Sequence, residues 1–258
     1  MNTMNIAGKI RSRETTFGIW MSIPHPIVAE TLAHTTADFL LVDGEHAPIP
    51  PDSLMQILPA TERHGMPVIY RVQGKSPELI KAALDHGVNG VMVPMINSAE
   101  EAQKCVAAAK YPPLGIRGAG AWRASKYYMD QASYLSRADA ETVVVLQIES
   151  KDAIGDIEAI SKVKGVDALY VGPADLSLSL GVTLGELHPE LLAACRRVAD
   201  AAKRNGVVAG IDIVSLDFIP AFYALGFTLF TYGGDAGFVI EGGRAAMADA
   251  RAQCANKH

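Results

Sequence analysis

The chain has 258 residues, 49% of them apolar, enough for one large α/β domain or two small ones with a full core. Its net charge of −5, with Lys and Arg scattered rather than clustered, argues against nucleic acid or an anionic membrane as partner and leaves small molecules. Cys105, Cys195 and Cys254 are odd in number, far apart and without a CxxC, so they indicate neither a disulfide framework nor a zinc cluster.

Lys9, Arg11, Arg13 and Glu14 precede any long apolar run, and no membrane-length uncharged stretch follows, so a cytoplasmic protein is expected. Strand-like apolar runs then recur at 16–22, 38–43, 67–72, 90–95, 143–149, 168–172, 207–213 and 227–232. Helix-patterned stretches lie between them, at 51–64, 76–86, 98–110, 189–205 and 215–225. Pro51-Asp52, Ser76-Pro77-Glu78 and Ser98-Ala99-Glu100-Glu101 mark helix starts, while Gly65, Gly87, Gly206 and Gly226 sit where helices should stop. Eight β/α alternations with no linker or composition shift predict a single (β/α)8 TIM barrel spanning 1–258. The connection from 111 to 141 exceeds an ordinary barrel linker, which points to a functional loop. A doubly wound open sheet is the rival architecture. It is disfavoured because Met21-Ser22-Ile23-Pro24 follows the first strand in place of a glycine-rich turn, and Gly118-Ala119-Gly120 lacks both a third glycine and a preceding strand.

A barrel builds its active site at the carboxyl ends of its strands. There the sequence offers Asp43-Gly44-Glu45-His46, Arg71-Val72-Gln73-Gly74, Gln147-Ile148-Glu149 and Gly172-Pro173-Ala174-Asp175. The fifth and sixth runs each end in a carboxylate that a buried strand does not hold without a partner, and one crossover separates them, so Glu149 and Asp175 are expected side by side as divalent-metal ligands. Gln147, two residues before Glu149, shares its face and is placed to orient water or substrate. Plainer roles stay open: Asp175 as a helix N-cap, His46 as a hydrogen-bond donor to a neighbouring acid, Arg71 as an ion-pair partner of the same acids. Glu149 has no capping duty legible in the sequence. Two carboxylates leave positions for water and substrate oxygens, which suits Mg²⁺, Mn²⁺ or Co²⁺, with Zn²⁺ admissible, rather than a closed structural zinc site. A cation there, with Arg71 as a fixed positive fork and His46 to move a proton, describes an aldolase or decarboxylase acting on a 2-oxo acid through an enolate. No strand ends in the lysine that Schiff-base chemistry needs.

The segments Asp-Phe-Leu-Leu-Val-Asp-Gly-Glu-His-Ala-Pro (38–48), Gly-Val-Met-Val-Pro-Met (90–95), Tyr-Pro-Pro-Leu-Gly-Ile-Arg-Gly-Ala-Gly (111–120), Leu-Gln-Ile-Glu (146–149) and Val-Gly-Pro-Ala-Asp-Leu-Ser (171–177) resemble the HpcH/HpaI aldolases over most of the chain. That family comprises metal-dependent pyruvate aldolases. The resemblance implies Glu149 and Asp175 as metal ligands and Arg71 as stabiliser of the pyruvate enolate. It also implies His46 as an acid/base residue paired with Asp85. Gln147, Asp43 and the segment Gly172, Pro173 and Ala174 would serve substrate binding. A homohexamer is further implied, with a helix at 235–256 exchanged between neighbours. For the loop 121–126 two roles stay open, contact with an adjacent subunit's site or packing of Trp122 in an interface. The chain departs from the family pattern at Thr231-Tyr232-Gly233-Gly234-Asp235 and at the seventh strand end, Gly210-Ile211-Asp212-Ile213-Val214; in the family that strand borders the acceptor pocket, so the resemblance does not carry the aldehyde preference over. The expected reaction is reversible cleavage of a 4-hydroxy-2-oxo acid to pyruvate and an aldehyde. Oxaloacetate decarboxylation is the alternative enzyme, and a catalytically silent metabolite-binding barrel the remote one.

Overall fold

In the computed structural model, which describes residues 5–183 and 185–255, eight strands close into a parallel barrel in sequence order. They are β1 (Thr16–Met21), β2 (Phe39–Asp43), β3 (Val68–Arg71), β4 (Gly90–Val93), β5 (Val143–Ile148), β6 (Ala168–Val171), β7 (Val208–Ile213) and β8 (Phe227–Gly234). The helices are α1 (Ile6–Arg11), α2 (Pro26–Ala33), α3 (Leu54–Glu62), α4 (Pro77–His86), α5 (Ala99–Ala109), α6 (Gln131–Glu141), α7 (Lys151–Gly155), α8 (Ile157–Ile160), α9 (Pro173–Leu180), α10 (Pro189–Asn205), α11 (Ile219–Leu225) and α12 (Asp235–Ala255). The predicted architecture is therefore the observed one.

Most strands are buried end to end because both faces are covered, which is why they read as apolar runs without alternation. Alternate residues nevertheless separate into two cores. Phe39, Leu41, Ile69, Met92, Val143, Val145, Ala168, Tyr170, Val208 and Leu229 fill the interior, together with Ile6, Ala7 and Ile10 of α1. Leu40, Val42, Val68, Val144, Leu146, Leu169, Val171, Ile211 and their neighbours pack outward against the helices. Arg11 fastens α1 to the amino ends of β5 and β6, through Thr142 O at 3.1 Å and Asp167 at 2.7 Å. On β2, β3, β5 and β8 the interior residues one step beyond this core, at the carboxyl ends, are polar: Asp43, Arg71, Gln147 and Thr231.

Several local boundaries differ from the sequence expectation. β4 stops at Val93 rather than at residue 95, because Met95 turns into the left-handed region (φ 54°) and spends its N–H on Glu149. The connection from 111 to 141 contains a full helix, α6, that its polar composition concealed. The stretches at 51–64 and 215–225 each open with a 3-10 turn. The four glycines expected to end helices all have positive φ, as that role requires. After β8 the chain does not fold back on the barrel: α12 projects outward, with Val239 71% exposed and Met247 54% exposed. Residue 256, the expected end of this helix, lies outside the described residues. Among the described residues no helix is long and apolar enough to cross a membrane.

Candidate active site

Arg71 ends β3 and points along the barrel interior, where an unpaired guanidinium would be costly. It is 7% exposed and tightly held. Its Nε and one terminal nitrogen donate to the two oxygens of Asp43 at 2.9 Å each, a bidentate fork, and its other terminal nitrogen lies 3.2 Å from Glu45. The Trp20 indole carries the guanidinium on its face, 4.5 Å from the ring centroid. Asp43 also accepts the N–H groups of Glu45 at 2.9 Å and His46 at 3.2 Å, so one carboxylate fixes both the arginine and the turn after β2. Burial pushes Asp43 upward, but the hydrogen bonds and charge of Arg71 outweigh it and leave the carboxyl below its usual range. The ion-pair role left open for Arg71 is real.

Across the mouth, Glu149 is 2% exposed. Its Oε1 accepts the Met95 N–H at 2.7 Å and its Oε2 accepts the Gln147 amide. Burial, followed by the charges of Asp175 and Glu45, outweighs the Met95 hydrogen bond and pushes its pKa up to about 7. Gln147 is buried too, and its Oε1 has no hydrogen-bond partner among the described residues. Gly172 lies beside both: a Cβ there would meet Glu149 Oε2 at 2.4 Å and Gln147 Nε2 at 2.8 Å, so the missing side chain makes the hollow. Asp175 stands at the third position of α9, exposed, with Pro173 at the first and Gly172 as the side-chain-free N-cap. It makes no capping hydrogen bond, so the plain N-cap role fails.

The structure thus brings Asp43, Arg71, Gln147, Glu149, Gly172, Pro173, Ala174 and Asp175 to one mouth. His46 joins them at the rim, its side chain 65% exposed and its Nε2 3.7 Å from Glu45. Asp85 does not. It lies near the end of α4, five residues before β4 begins and therefore at the amino end of the barrel, where the fully buried Arg117 donates to it at 2.8 Å. The pairing of Asp85 with His46 expected from the resemblance is not made within one chain, because opposite ends of the barrel separate them. Sequence reasoning passed over Trp20 and the Met95 N–H, and counted Glu45 only as a neighbouring acid. Inward parity on β1 would have found Trp20.

A closed parallel barrel whose carboxyl mouth gathers buried carboxylates around one tethered arginine is the layout of a barrel enzyme. The model of the HpcH/HpaI aldolase/citrate lyase family matches residues 16–241. A hydroxypyruvate/pyruvate aldolase of Pseudomonas aeruginosa is 38% identical over 228 residues, covering 84% of each chain. A 2-keto-3-deoxy-L-rhamnonate aldolase of Salmonella typhi is 39% identical over 207 residues, 78% of this chain and 77% of that one. The crystal structure of an HpcH/HpaI aldolase/citrate lyase family protein from Burkholderia cenocepacia J2315 superposes with a TM-score of 0.89 at 34% identity, covering 95% of this chain and 98% of the other. The chain belongs to the HpcH/HpaI aldolase/citrate lyase family and is a carbon–carbon lyase.

Proposed function

We propose that the protein reversibly cleaves a 4-hydroxy-2-oxo acid to pyruvate, or a related 2-oxo acid, and an aldehyde, with a divalent cation held by Glu149 and Asp175. The observation that carries this reading is the state of Glu149: buried, raised to about 7 with two acids as neighbours, and set beside an unpartnered Gln147 oxygen and the hollow at Gly172. Oxygen donors of this kind suit Mg²⁺, Mn²⁺ or Co²⁺. When bound, such an ion supplies Lewis acidity toward the oxygens of a 2-oxo acid.

The side chains account for the rest. Arg71, fixed by Asp43 and Trp20, presents positive charge where the 2-oxo oxygen gains electrons as the C3–C4 bond breaks. His46 takes the proton from the C4 hydroxyl as the aldehyde forms, and a proton returned to C3 completes the 2-oxo acid. Ala174 and Asp175 have backbone N–H groups at the start of α9 without intrahelical acceptors, suited to the substrate carboxylate. Asp85 serves His46 only if another copy of the chain supplies it, which fits the oligomer proposed for the exposed α12.

Activity with pyruvate and a short aldehyde should vanish in chelator and return with Mn²⁺, Mg²⁺ or Co²⁺, and borohydride added with pyruvate should leave no mass adduct. A reduced covalent pyruvate adduct overturns the reading. Lys75, four residues beyond Arg71, is engaged by Glu101 and the Met95 carbonyl.

A further inference from the structure

β7 carries a carboxylate that the reaction above does not use. Ile148, Val171 and Ile211 are successive partners across β5, β6 and β7, so Glu149, Gly172 and Asp212 occupy the next rung, and Asp212 is paired in turn with Thr231 of β8. Gly172 contributes no side chain between the two acids. Whatever rests against Glu149 and Gly172 therefore has Asp212 as its next wall.

Only half of the Asp212 carboxylate is committed to the protein. Oδ1 accepts the Trp20 indole N–H at 2.7 Å and the Thr231 hydroxyl at 2.5 Å, and Thr231 bonds onward to Tyr170. Oδ2 has no hydrogen-bond partner among the described residues, and the residue is half-buried, neither sealed in the core nor free in solvent. Its immediate contacts, Trp20 and Thr231, are uncharged. The Arg71 guanidinium lies against the Trp20 ring and is taken up by Asp43 and Glu45. This wall offers an acceptor and negative charge, and no donor cation.

We infer that Asp212 sets the acceptor class of this enzyme: an uncharged aldehyde bearing a hydroxyl group, which donates to Oδ2, is taken in preference to an aldehyde bearing a carboxylate. The inference rests on the aldol reading above. A hydroxyl satisfies the free oxygen, whereas a second carboxylate turned to Oδ2 meets like charge on a wall with no cation of its own, and a desolvated mismatch of that kind discriminates more strongly than a difference of size.

The test compares glycolaldehyde with glyoxylate, which differ by CH2OH against COO⁻, as acceptors for pyruvate in the Mn²⁺-loaded enzyme. Exchange of the pyruvate methyl protons into D2O, with no aldehyde present, is followed in parallel in the wild type. Absence of exchange overturns the aldol reading itself. With exchange present, the wild type should favour glycolaldehyde in kcat/KM although glyoxylate is the more electrophilic. Asp212→Asn keeps an oxygen for Trp20 and Thr231 but removes the charge, and should move the ratio toward glyoxylate by about tenfold or more. Asp212→Leu should move it further by abolishing the hydroxyl acceptor. Because a ratio is independent of the folded fraction, partial misfolding does not mask it. An unchanged ratio, including one in which both aldehydes lose turnover equally, overturns the assignment and leaves Asp212 as a prop for Trp20.

Discussion

Glu149 holds its two hydrogen bonds at the expense of proximity to Asp175 and Glu45, and the sign of that conflict is testable. Its pKa is raised from 4.5 to about 7, so its contribution to stability is fully present below 4.5 and is lost as pH rises through about 7. Asp43, held below its usual range by Arg71, has the opposite sign, but it is common to wild type and variant and cancels between them. In chelator, Glu149→Gln should therefore be more stable than the wild type at pH 8, by on the order of 3 kcal/mol at most, and no more stable near pH 4.5. Gln147 accommodates the new amide, since rotating its own amide turns the unpartnered oxygen toward it. Denaturant midpoints at the two pH values check this; equal differences at both would show that Glu149 is not strained. The same variant should fail to bind Mn²⁺, separating the stability cost of the acid from its use.

At the scale of elements, the turn from β6 into α9 has to pass a backbone against two side chains of β5. Gly172 has φ −89° and ψ 94°, a conformation open to any residue, so the requirement there is space and not backbone freedom. Gly172→Ala should leave the circular dichroism of the barrel intact while driving its Cβ into Glu149 and Gln147, with a loss of turnover of about 10²-fold, the usual consequence of a misplacement near 1 Å. Wild-type turnover in this variant would remove Glu149 from the working site. The elements themselves were legible in the sequence: eight apolar runs gave eight strands in order, since burial on both faces leaves a signature that helices on either side do not blur. The carboxyl ends were legible for the same reason, because Glu149 and Asp175 interrupt apolar context. What stayed hidden depended on contacts between elements. The early end of β4 is caused by Glu149, α6 is too polar for its periodicity to stand out, and Asp85 belongs to Arg117 because α4 runs back to the amino end, which spacing along the chain does not disclose. Asp212 was visible only as a departure from pattern, its meaning supplied by the rung it shares with Glu149.

For the molecule as a whole, the end of the barrel's chain is the part that a lone copy leaves unfinished. Asp235 is buried and accepts from the Ser22 N–H at 3.0 Å, the Ser22 hydroxyl at 2.7 Å and the Ile23 N–H at 2.8 Å, which bolts the exit of β8 to the exit of β1 and fixes the direction in which α12 leaves. Beyond it Phe238, Val239, Ile240 and Met247 are exposed on α12, and Leu114, Ile116, Trp122 and Met129 are exposed on the connection before α6. Apolar surface on two such separate elements exceeds what scattered exposure on a monomer explains, and another copy of the chain is the partner that the proposed oligomer supplies. Light scattering should accordingly give a mass several times 27.4 kDa, with six copies expected. Deleting residues 236–258 should dissociate or precipitate the protein while leaving Asp235 and its hydrogen bonds in the chain. Aldol activity should fall with the assembly, because in the proposed function His46 draws Asp85 from a neighbouring copy. A truncated chain that stays soluble, monomeric and fully active would remove both the exchanged helix and the shared acid from the account.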